Sequence, residues 1–180
     1  MLALLAAPTY FHVRADVLQL GWSRGWGASL LQVVAGFALL AAALRESVPG
    51  RSWSAGAIGM WIATPIVLAI AVTFASWEAS PVILPRGWWT VWMVCLSGSA
   101  ATALPLVALA NVLVARAYPT RPAVAGLLLG IGAGLIADAG WRMFCHFSEP
   151  AHVLSAHLGG VAVAALAGWR LAVMLGKPFR

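Results

Sequence analysis

Charge is what this 180-residue sequence has least of. Asp, Glu, Lys and Arg together make up 9% of it, with five acidic residues in all. A soluble domain covers its surface with roughly a quarter charged residues. This chain has too few to do so, which excludes an ordinary water-exposed surface. Cysteine is almost as scarce. Cys95 and Cys145 are the two in the sequence, too few for a disulfide scaffold and not spaced as CxxC. No internal repeat, linker or second domain is visible, and no run of basic residues interleaved with aromatics. The net charge of +6 therefore points to scattered arginines at helix ends rather than to direct nucleic-acid binding.

What the sequence does have is long apolar runs. Apolar residues reach 62% and the mean hydropathy is +0.91, which places the chain in a lipid bilayer. Many of the ten tryptophans fall at the ends of apolar runs, where an indole sits at headgroup level. The runs predict spans at residues 26–44, 55–77, 88–115, 123–144 and 153–175. Pro65 and Pro105 fall inside two of them, which a bilayer tolerates. Before these, Met1 to Ala7 is apolar but stops at Pro8, far short of the roughly 20 residues a span needs. No basic segment precedes it, so it reads as the tail of a transmembrane helix rather than a cleaved signal. The expected fold is one all-α polytopic bundle of about five full spans plus a truncated N-terminal helix.

Lys and Arg divide unevenly between the two ends of such a bundle. Arg45, Arg51, Arg116, Arg121, Arg170, Lys177 and Arg180 fall on one side, and Arg14, Arg24, Arg86 and Arg142 on the other. The richer side is expected to be cytoplasmic, and the C-terminus with it.

That topology gathers the reactive side chains on the opposite, outer face. Cys145, His146, Glu149, His152 and His157 lie within thirteen residues, between the fourth and fifth spans. Cys95 lies near the outer end of the third. Thiolates and imidazoles suit zinc, copper or cadmium, but His146 beside Cys145 does not have helical chelating spacing. Three readings follow from the residues: a permanent metal site, a thiol pair responsive to oxidants or to a transient soft metal at Cys95, Cys145 and His146, or buried residues without chemistry. Glu149, His152 and His157 would be auxiliary ligands. Gly140 near Cys145, and the small residues after Cys95, would permit the close helix approach that a disulfide requires.

Two other features stand out. Gly126, Gly130 and Gly134 repeat every four residues and form a smooth face for a neighbouring helix. Asp138 and Arg142 are i,i+4 partners and would form an intramembrane ion pair.

The stretch from Cys95 to His157 resembles the NrsF family, membrane proteins that act as negative regulators of the sigma factor F type. The matching elements are Cys95 early in one span, Pro105, the Pro119-Thr120-Arg121-Pro122 turn, the glycine-rich span, and Cys145 followed by His146. The resemblance implies a six-span anti-sigma factor in the bacterial inner membrane, with a cytoplasmic N-terminal segment and a complete first helix. Its partner would be an extracytoplasmic-function sigma factor, released on metal or oxidative stress, with Cys95 and Cys145 as sensor thiols. It implies no enzymatic activity and no resident cofactor. Two other readings compete. A small transporter or channel would line its path with Asp138 and Arg142, but the sequence has few embedded polar groups and no inverted repeat. A membrane thiol oxidoreductase would want a CxxC or a cofactor signature, and neither is present.

Overall fold

The computed structural model describes residues 26–79, 89–145 and 147–176. Among these residues there are helices and turns and no strand. Five helices result: α1 (Trp26–Ser47), α2 (Ala55–Ala79), α3 (Trp89–Ala115), α4 (Pro122–Arg142) and α5 (Pro150–Leu175). Each is long and apolar enough to cross a membrane. The expected N-terminal helical piece falls outside the described residues.

Four ends differ from the hydropathy reading by two residues or more, and one of them is that of α2, which runs on to Ala79. Helix α1 runs on through Arg45 and Glu46 to Ser47, because arginine and glutamate are good helix formers even where they end an apolar run. It stops where Pro49 and Gly50 turn the chain, Gly50 taking φ 80°. Helix α4 ends at Arg142, two residues early. Helix α5 starts at Pro150, ahead of residue 153, since proline is suited to the first turn of a helix. At the far end of α3, Tyr118 holds the left-handed conformation at φ 52°. This is a place usually given to glycine, and Pro119 then prevents the helix from continuing.

Helix α4 is the axis of the bundle, with 72% of its apolar window buried against 17% for α2. It packs on α1 along one side and on α5 along the other, while α3 closes over α4 and α5. Helix α2 lies at the rim and touches α1, the first turns of α5 and, less, α4. The glycine face expected from the sequence is turned to α5. A methyl group on Gly126 would run into the Gly168 carbonyl and the Ala172 side chain, and one on Gly130 into the Ala164 carbonyl. At Gly134 it would stand 2.9 Å from the Val161 Cα. The opposite side of α4 is equally close, since a methyl on Gly132 would sit 2.7 Å from the Gly36 carbonyl of α1.

At the end of the bundle formed by the C-termini of α1 and α3 and the start of α4, a polar clamp joins two connections. Glu46 is fully buried and forms an ion pair with Arg121, its Oε1 lying 2.6 Å from Nη2. Its other oxygen accepts the Trp53 amide at 2.7 Å, and Arg121 Nη2 also donates to the Trp53 carbonyl at 2.7 Å. Arg45 stacks on the Trp53 ring. The α1–α2 turn is thereby tied to the α3–α4 turn.

Candidate functional site

The reactive side chains meet at the other end of the bundle. Cys95 is the seventh residue of α3. Cys145 follows the end of α4, where its amide donates to the Trp141 carbonyl at 3.1 Å. The two sulfurs approach to 3.7 Å, with Cys95 as donor, and both cysteines are buried and free.

What brings α3 this close is not Gly140. A methyl group there would meet nothing within 4 Å. The approach is made by Gly98, whose Cα faces the Trp141 ring directly, and by Gly160 of α5, where a methyl would lie 2.8 Å from Ser99 Oγ. Trp141 is held in place by donating its indole N–H to Thr102 at 2.9 Å.

Helix α5 contributes two histidines, both buried. His152 Nε2 lies 3.3 Å from the Cys145 sulfur. His157 is five residues further on, a separation that would put it on a different face of a regular α-helix. Here residues Val153–His157 form a π-turn, in which the Leu158 amide donates to the Val153 carbonyl, five residues back. Such i→i+5 bonding brings positions i and i+5 onto one side. The two rings sit 5.4 Å apart, edge to face. Cys95, Cys145, His152 and His157 thus place one ligand atom each within 4.8 Å of one another.

Behind His157 stands Asp138 of α4. Its Oδ1 is 2.7 Å from His157 Nδ1, and its Oδ2 accepts from Gln32 Nε2 of α1 at 2.9 Å. The carboxylate was expected to pair with Arg142; the structure gives its two oxygens His157 and Gln32 as hydrogen-bond partners, with Arg142 one turn further along the same helix. Because these hydrogen-bond partners come from α5 and α1, no spacing within α4 could have identified them. The Cys145 thiol is held below its ordinary pKa by the hydrogen bond it accepts from Cys95, reinforced by His152 and His157 against the opposing effect of burial.

One residue expected as an auxiliary ligand is not part of this group. Glu149 is half-buried at the start of α5 and is not one of the four. His146 lies outside the described residues. An apolar groove of about 270 Å³, walled by Val91, Val94, Trp141, Phe144 and Phe147, leads to Cys95 and Cys145.

The family model for NrsF, described as negative regulator of sigma F, matches residues 1–176. The chain belongs to the NrsF family. Membership covers nearly the whole sequence and makes a sigma factor its partner. No curated protein and no solved structure matches it significantly. For this NrsF chain the thiol and imidazole cluster therefore rests on the geometry above, and not on any relative's assigned residues.

Removing Asp138 should be damaging beyond any loss of its electrostatic attraction to Arg142. Asp138→Ala leaves His157 Nδ1 and Gln32 Nε2 buried without their acceptor, and each orphaned donor costs about 1–3 kcal/mol. The purified variant is expected to show lower yield and a lower thermal midpoint. Asp138→Asn, which keeps one carbonyl oxygen, should lose less.

Proposed function

We propose that this NrsF chain is a bacterial inner-membrane anti-sigma factor. It would hold an extracytoplasmic-function sigma factor at the cytoplasmic face and release it when Cys95 and Cys145 react with an oxidant or a soft metal. The C-terminus would be cytoplasmic, on the arginine-rich side with the Glu46–Arg121 clamp. The observation that carries this reading is the 3.7 Å approach of the two sulfurs, on different elements at the opposite end of the bundle.

The chemistry balances with a peroxide as oxidant. One thiolate attacks a peroxide oxygen and becomes a sulfenic acid; the second thiol attacks that sulfur, and water leaves as the disulfide forms. Two thiols and hydrogen peroxide give one disulfide and two waters. Closing the sulfurs from 3.7 Å to roughly 2.0 Å draws the start of α3 towards the end of α4. These two helices are joined by the turn at residues 116–121, so a change in their relation reaches the opposite face. A soft metal bound between the same thiolates would alter that spacing too.

A sigma-dependent reporter tests the regulatory part. Deleting the chain should raise reporter output in unstressed cells, and restoring it should silence the reporter again. Fusions after Arg180 to an enzyme active only in the periplasm should be inactive. Unchanged output on deletion, or an active periplasmic fusion, would overturn the corresponding half of the reading.

A further inference from the structure

We infer that Cys95, Cys145, His152 and His157 hold one Zn²⁺ ion in the unstressed protein, with Asp138 orienting His157. This deepens the sensor reading above and rests on it for what loss of the metal does, though not for the binding itself.

The donor set is a closed Cys₂His₂ site. Zinc–sulfur bonds of about 2.3 Å and zinc–nitrogen bonds of about 2.0–2.1 Å place tetrahedral ligand atoms roughly 3.3–3.8 Å apart. The sulfurs here are 3.7 Å apart, Cys145 Sγ and His152 Nε2 are 3.3 Å apart, and all four donor atoms fall within 4.8 Å. Little rearrangement separates this arrangement from a coordination sphere.

His157 carries a second mark of a ligand. Its Nδ1 is engaged by a buried carboxylate at 2.7 Å, which leaves Nε2 free for a metal. The Asp138 oxygen fixes the tautomer and orientation of the ring, as carboxylates behind zinc-bound histidines do, and Gln32 fixes the carboxylate in turn. Charge agrees as well. Two thiolates neutralise a divalent ion, so the coordinated group adds no net charge to an apolar interior, where an unpaired charge is costly.

The π-turn gains a purpose in this light. Without its extra residue per turn, His152 and His157 would point to different sides of α5. The site joins α3, α5 and the end of α4 directly, and reaches α1 through Gln32.

A zinc ion between the two sulfurs also keeps them at ligand spacing. Peroxide must then displace it: two zinc-bound thiolates, hydrogen peroxide and two protons yield the disulfide, free Zn²⁺ and two waters. The resident ion thus sets the threshold at which the pair oxidises.

The full chain, purified in detergent without added metal and without chelator, is the material for the test. Elemental analysis should find close to one zinc per chain. X-ray absorption at the zinc edge should show two sulfur and two nitrogen neighbours at the distances above. This measurement needs no variant and does not depend on a mutant folding. Cys95→Ser combined with Cys145→Ser should abolish the zinc, while Asp138→Asn should weaken zinc affinity roughly 10–100-fold. Stripping the metal should speed disulfide formation by added peroxide. A folded wild-type chain without zinc, or zinc retained in the double serine variant, overturns the proposal. Failure of the sensor reading looks different: zinc is bound as stated, yet the double serine variant still releases its sigma factor under stress.

Discussion

Cells carrying Cys95→Ser, Cys145→Ser or both should keep the sigma factor silent at rest and lose its induction by cadmium or peroxide completely. The three strains should be indistinguishable. The two sulfurs face each other at 3.7 Å, so a disulfide or a bridging soft metal needs both, and removing one leaves the other without a partner. Serine is close in size to cysteine and is tolerated in this mixed environment, where Ser99 and Ser148 are also buried. It forms no disulfide and is a hard, poor ligand for a soft metal. Retention should survive because release is attributed to the contraction or distortion of the pair, and not to the absence of a ligand from it. A sigma-dependent reporter measured with and without stress checks this. Full induction in the double variant would return both cysteines to the status of buried packing residues. Constitutive output in either single variant would contradict the contraction mechanism.

Gly130→Leu should remove the folded protein almost entirely. At Gly126 and Gly130 the obstacle is largely backbone: the carbonyls of Gly168 and Ala164 lie against the positions a Cβ would take. No flexible side-chain end is available to yield. Overpacking a well-packed core typically costs about 1–3 kcal/mol and sometimes more, and leucine at Gly130 adds a whole side chain where even a methyl does not fit. The change would push α5 off α4 along its length and pull His152 and His157 away from Cys145. Gly140→Leu is the matched control. A methyl there meets open space, so this variant should accumulate normally and elute as wild type. Monodisperse elution in detergent and thermal midpoint separate the two outcomes.

The contrast between Gly130 and Gly140 illustrates what could be read from sequence. The four-residue glycine repeat identified a face of α4 by periodicity alone, because helix geometry fixes which positions share a side. Which neighbour that face meets is a tertiary fact, as is the close contact of Gly36 with Gly132 on the reverse side. The apolar runs located all five helices for the same local reason. Their ends shifted where helix propensity outlasted hydropathy, at Glu46, and where a proline opened a helix before the apolar run began, at Pro150.

Alternating helix direction was enough to collect Cys95, Cys145, His152 and His157 at one end. It could not show that these four side chains converge, because the convergence depends on a π-turn that breaks the α-helical period between His152 and His157. Nor could it find the partners of Asp138. The i,i+4 neighbour Arg142 was the local choice, while His157 and Gln32 lie 19 and 106 residues away.

The central claim is that a thiol pair at one end of the bundle controls a sigma factor held at the other. Membrane vesicles carrying the full chain, mixed with its purified sigma factor, test it most directly. Sedimented sigma factor would be measured alongside the fraction of chain bearing a Cys95–Cys145 disulfide, read by non-reducing peptide mass analysis during peroxide treatment. Sigma factor should sediment with the reduced chain, leave in proportion to the disulfide formed, and return when a dithiol reductant reopens it. Sigma factor that stays on membranes whose cysteine pairs are fully bridged would contradict the claim.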